Sequence, residues 1–166
     1  ADVDQLVEGH VPDGYEFSEK LINEAIRGYI SSPALQDKVH CVAYVLAANS
    51  LQYIDEITWV KLNDLQRRLN IREIPIVVVL TKIDLLSETL ANDLKDVFMC
   101  TEVKEAVCYV SAKLHIDPGD VMPIKNYESE NMVNINISCL ALQALDRMLG
   151  YASDYLENNY HLMHQT

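Results

Sequence analysis

The stretch Ile76-Val77-Val78-Val79-Leu80-Thr81-Lys82-Ile83-Asp84 decides how this chain is read. Its first five residues are apolar without interruption and mostly β-branched, as in a parallel strand covered on both faces. Its last four turn polar just beyond the carboxyl end of that strand, where open α/β sheets bind their ligands. Working outward, Val39 to Ala48 (VHCVAYVLAA) is a second continuous apolar run. Val121 to Ile124 is a third and weaker one, entered through the turn Asp117-Pro118-Gly119-Asp120. Pro123 removes a ladder donor, which places this strand at a sheet edge.

Helical patterns fill the intervals. Ile54, Ile57, Leu62, Leu65 and Leu69 share one face of a segment whose other side carries Glu56, Asn63 and Arg67. Leu90, Leu94, Val97 and Phe98 form a stripe with Ser87 placed to cap it. Val103, Val107, Val110 and Leu114 form another, with Thr101 as cap and Glu102 in the first turn. Ile137, Leu140, Ala141, Ala144, Leu145, Met148, Leu149, Ala152 and Leu156 read as one long helix. Before Leu35 the chain holds turn signals and one amphipathic stretch near Leu21 to Tyr29. The order predicts a three-layer α/β fold with about three parallel strands and four or five helices, half of a doubly wound sheet. Residues 1–166 are expected to form a single, partial domain. Val39 to Ala48 reads as an interior strand with no neighbour on its far side, and a bare apolar edge invites aggregation. The expectation is that its neighbour lies upstream of Ala1, or that the edge self-associates.

Composition narrows the partners. Twenty-five acidic against 13 basic residues give a formal net charge of -12, which repels nucleic acid and anionic lipid alike. Cys41, Cys100, Cys108 and Cys139 have neither metal-ligand nor disulfide-framework spacing; Cys41 and Cys139 read as buried free thiols of a reducing compartment. No leader pattern or bilayer-length apolar run is present, so a cytoplasmic protein is expected. The sequon Asn136-Ile137-Ser138 falls in a predicted helix and reads as chance. His161 and His164 have a helical spacing but sit near a fraying end, so no metal site is expected.

Thr81-Lys82-Ile83-Asp84 looks like the guanine-specificity motif of GTPases, in its threonine variant. A carboxylate at Asp84 can accept from the N1 and N2 donors of guanine, which adenine does not supply. Lys82 can lay its stem over the base, and Thr81 can tie the loop to a neighbour. The competing reading is a plain turn, with Asp84 capping it and Lys82 solvated. A second base-side loop has two candidates. Ser111-Ala112-Lys113 matches a GTPase motif but falls inside a helical stripe, whereas Lys125-Asn126-Tyr127 follows a predicted strand and is favoured. The chain contains no G-x-x-x-x-G-K-[ST] and no D-x-x-G loop, so phosphate has neither cradle nor charge neutralisation. GTP or GDP, with Mg²⁺, is therefore expected only where the missing half is present, and this chain alone is not expected to hydrolyse GTP. Whether the intact parent is a weak GTPase stays open at this point.

The chain resembles the interferon-induced protein 44 family of GTPase-related proteins. The resemblance rests on Gly9 to Phe17, on Asp37 to Leu46 with Asn49-Ser50, on Leu80 to Asp84, on Lys125 to Glu130 and on the helix Leu140 to Leu156. It implies the C-terminal half of a P-loop GTPase-like domain in a cytosolic, interferon-responsive protein of antiviral innate immunity. It also implies guanine-nucleotide binding through Thr81, Lys82, Asp84, Lys125 and Asn126, with no catalytic residue here. The alternative is a pseudo-GTPase module that binds protein partners and no nucleotide.

Overall fold

The three apolar runs become strands β1 (Val42–Ala47), β2 (Ile76–Thr81) and β3 (Val121–Pro123), paired in parallel in the order β1-β2-β3. The structure, a computed structural model, describes residues 2–17 and 21–163. Five α-helices complete it: α1 (Asp2–Val7), α2 (Glu56–Ile71), α3 (Glu88–Asn92), α4 (Thr101–Leu114) and α5 (Ile135–Met163). The α/β class and the parallel, open sheet agree with the sequence. The chain divides into two compact units, residues 1–40 with 156–166, and residues 41–155.

In the first unit, the turn after α1 holds Gly9, whose φ of +86° favours glycine. A Cβ there would lie 2.7 Å from the carbonyl of Asp37, so the close approach of two backbones also demands it. The Val39 amide donates to the Val7 carbonyl, and His10 stacks on Tyr29 at 5.1 Å. Leu21 to Tyr29 forms turns, not a helix. Asn23 accepts from the Ala25 amide at 2.9 Å, the local bond by which asparagine diverts a backbone from helix.

The second unit carries the sheet. All six residues of β2 are buried, as its uninterrupted apolarity requires. Register pairs Val42 with Ile76 through Ala47 with Thr81, and the Val42 amide donates to Pro75. Parallel alternation therefore directs the N–H and C=O of Ala43, Val45 and Ala47 away from β2. Val45 is 67% exposed, although it sits in the middle of an apolar strand. At the other side β3 is an edge strand, with the backbone groups of Val121 and Pro123 directed outward. Tyr44 points to α2 and donates to the Leu62 carbonyl at 3.3 Å; burial pushes its phenol up to about 12.

Several helix assignments need correction. In α2 the buried face is Trp59, Gln66 and Leu69, while Ile57 is exposed; Asp55 caps the helix through the Thr58 amide. Leu90, Leu94 and Val97 are buried, but not from one helix. Ser87 caps α3 as expected, and α3 stops at Asn92. Asp93 is extended and its carboxylate accepts from the Lys95 amide at 2.9 Å, leaving Phe98 exposed. For α4 the cap position is Cys100 and Thr101 is already helical. In α5, Ile137, Leu140 and Ala144 are buried, whereas Leu145, Leu149 and Cys139 are exposed. Cys139 is thus not the buried thiol that the sequence predicts. Cys41 is half-buried, and its thiol is pushed up by burial and by the charge of Asp120. No described helix is long and apolar enough to cross a membrane.

Candidate functional site

Three connections leave the carboxyl ends of the strands: the 3₁₀ turn Ala48–Tyr53 after β1, Thr81 to Leu86 after β2, and Ile124 to Glu130 after β3. The second is built by strict alternation. Thr81 is buried and its hydroxyl donates to the Leu46 carbonyl at 3.1 Å, lacing the end of β2 to the end of β1. Lys82 then takes a left-handed conformation (φ 59°, ψ 35°), uncommon for a residue with a side chain and concentrated at functional turns. Ile83 is fully buried and plugs the loop into the core. Leu85 and Leu86 close it by donating to Lys82 and Ile83. Between a buried anchor and this closure stands Asp84, half-exposed at the start of a one-turn 3₁₀ helix. Among the described residues no hydrogen bond engages its carboxylate.

The third connection meets it. The Ile124 amide still donates to Leu80 at 2.8 Å, after which the chain leaves the sheet. The Lys125 ammonium is paired with Glu130. That pairing holds the ammonium above its usual range against a partial loss from burial, and the charges of Glu130, Asp84 and Glu128 add to it. Because β2 and β3 are adjacent and parallel, the second and third connections leave the same edge of the sheet side by side, and the charge of Asp84 reaches Lys125. Glu130 is lowered to about 2 by the Lys125 hydrogen bond first, then by backbone amides. Asn126 is exposed, and no hydrogen bond engages its carboxamide among the described residues. Tyr127 is tied back: its hydroxyl donates to the Asn134 carbonyl at 2.8 Å, accepts from the Asn134 amide at 2.9 Å and meets the Ser138 hydroxyl at 2.7 Å.

Ser111 to Lys113 lies inside α4 and follows no strand. The Ser111 hydroxyl donates to the Ile116 carbonyl at 2.6 Å, and Lys113 pairs with Glu56 beside the rings of Trp59 and Tyr109. Both side chains are committed to packing α4. Sequence reasoning missed the roles of Glu130 and Tyr127 in shaping the third connection. A cavity of about 640 Å³ opens beside this edge, between Ala48–Tyr53, Leu85-Leu86 and α4. Glu102 and Glu105 line it, which suits no phosphate. Among the described residues no group of three or more acidic, histidine or cysteine side chains could hold a metal. His164 lies outside the described residues, as does the side chain of His161.

Over 158 residues, 95% of its length, the sequence is 33% identical to interferon-induced protein 44 of Homo sapiens. The chain belongs to the interferon-induced protein 44 family. Interferon-induced protein 44 of Pan troglodytes and interferon-induced protein 44-like of Homo sapiens are each 32% identical over the same extent. The chain spans about 36% of the length of these family members. No family model and no solved structure matches it.

Proposed function

We propose that this chain supplies the guanine-reading edge of a nucleotide-binding domain in an interferon-induced protein of antiviral defence. The observation that carries the reading is Asp84: a carboxylate beyond the end of a buried parallel strand, held by a buried Ile83 and a left-handed Lys82, with its acceptor sites free of hydrogen bonds among the described residues. Two donors on one base edge satisfy such a carboxylate bidentately, and guanine presents that pair where adenine does not. Lys82 is exposed at the loop's apex, where its stem can cover the base, and Thr81 keeps the loop laced to β1. Lys125 and Asn126 bound the other side of the base. These residues fit a base and not a triphosphate. Phosphate and Mg²⁺ would need groups beyond these residues, consistent with relatives of greater length. The outward backbone groups of Ala43, Val45 and Ala47 would receive a strand from that part of the polypeptide.

Calorimetry of the full-length protein with GDP, GTP and ADP tests this reading. Guanine nucleotides bind and ADP does not; Asp84→Ala costs at least about a hundredfold, the worth of two charge-assisted hydrogen bonds. A folded full-length protein that binds neither GDP nor GTP overturns the proposal and leaves the fold as a protein-interaction module.

A further inference from the structure

The segment that follows β3 is fastened by one carboxylate in a way that the base-reading role alone does not require. Glu130 uses both oxygens. Oε1 takes the Lys125 ammonium, and Oε2 accepts the amides of Glu128 at 2.8 Å and Ser129 at 3.2 Å. Three donors from three positions thus converge on one side chain and close residues 125–130 into a ring. The pair is sheltered, with side chains only 14% and 21% exposed, so solvent screens it less than a surface pair. On the far side, the Tyr127 hydroxyl staples the segment to Asn134, whose own side chain accepts from the Asn136 and Ile137 amides at the start of α5. Lys125 and Tyr127 are therefore both tied, while Asn126 between them is exposed and unengaged.

We propose that Glu130 is a positioning residue for base recognition: it fixes Lys125 beside Asp84 and presents Asn126 to the ligand. The inference rests on the guanine reading of the same site. Two alternative attachments for the ammonium show why a clamp matters. Without Glu130, Lys125 would move onto the Asp84 carboxylate, whose negative charge it already feels, and occupy the acceptors that the base needs. With Glu130 in place the ammonium is held by its own partner, and the acceptors of the half-exposed Asp84 stay open to the base. Glu130 acts through Lys125 and the backbone and does not itself touch the base.

The test uses Glu130→Gln, which keeps shape and removes charge, and Glu130→Ala as the larger change. The first measurement needs no nucleotide. Hydrogen exchange at the Glu128 and Ser129 amides is expected to accelerate about tenfold in Glu130→Ala, and NMR titration of the Lys125 side chain is expected to move down in Glu130→Gln. The second is affinity for a fluorescent GDP analogue in the full-length protein, expected to fall about tenfold in Glu130→Gln. Glu56→Gln, which breaks the Lys113 pair on α2, serves as control and leaves affinity unchanged. Unchanged exchange and Lys125 titration would overturn the clamp whatever the nucleotide result. Changed exchange with unchanged GDP affinity would overturn its role in positioning. A wild-type protein without guanine binding would instead defeat the functional reading, with the exchange experiment still deciding the clamp.

Discussion

Ile83 occupies the variable position of the Thr-Lys-x-Asp loop, yet it is fully buried while Lys82 and Leu85 beside it are exposed. Replacing it by alanine removes three methyl or methylene groups, worth ~2.5 kcal/mol in transfer free energy. The vacated space lies under a loop closed by its own 3₁₀ bonds, so it collapses only in part, and a cavity contribution brings the expected loss to about 3–4 kcal/mol. With a urea m-value of about 2 kcal/mol/M, the unfolding midpoint of the sheet unit should fall by roughly 1.5–2 M. Ile83→Val should cost about 1 kcal/mol, and Leu85→Ala, at a position 58% exposed, within about 0.5 kcal/mol. Urea denaturation followed by the fluorescence of buried Trp59 reads all three. If Ile83→Ala shifts the midpoint no more than Leu85→Ala, the loop is not anchored by this side chain, and the account of how Asp84 is held collapses.

The left-handed Lys82 leads to a second prediction: Lys82→Gly should stabilise the fold by up to ~1 kcal/mol while weakening nucleotide binding, and a loss of stability would contradict the strain argument. Asp84→Asn should move preference from guanine to xanthine nucleotides, because the carboxamide donates where the carboxylate accepted; competition binding with GDP and XDP reads it. Gly9→Ala should cost about 2 kcal/mol or more, since φ is positive and the new methyl meets the Asp37 carbonyl; thermal melts that match wild type would refute it. Glu130 has a folded pKa of about 2 against an ordinary 4.5, so its contribution is complete above pH ~4.5 and fades as pH falls towards 2. Acid titration of stability should therefore be shallower in Glu130→Gln over that window, and identical slopes would count against the pairing.

The sheet was legible because its signals are local and redundant. Uninterrupted β-branched runs and the proline of β3 each specify strand type and place without knowledge of the rest of the chain. The Thr81 to Asp84 loop was legible for the same reason, since a polar tetrapeptide directly after such a run has one place to go. The helices were read less well where a polar side chain overruled the apolar period. Asp93 accepts its own Asx-turn bond and splits what looks like one stripe from Leu90 to Phe98. Ile57 fits a helical stripe as well as Trp59 does, and only packing against α4, where Trp59 meets Tyr109, selects between them. Glu130 and the Tyr127 staple were invisible because a loop's closing bonds follow from its path, which no periodicity encodes. That Lys125 to Tyr127 follows a strand while Ser111 to Lys113 lies within a helix was available from the sequence, since the apolar runs and stripes that decide it are local.

The two outer strands of the sheet differ in what they present. β1 directs the full N–H and C=O pairs of Ala43 and Val45 outward, with the Ala47 amide, whereas on β3 the Val121 amide already donates to the Pro118 carbonyl and Pro123 has no amide hydrogen. Among the described strands β1 therefore offers the fuller edge for extension. Two copies that met through β1 would consume both of their open sides at once, in a closed two-fold pair with no surface left for a third. Assembly by strand pairing through β1 would then stop at two, and would not propagate into a fibre.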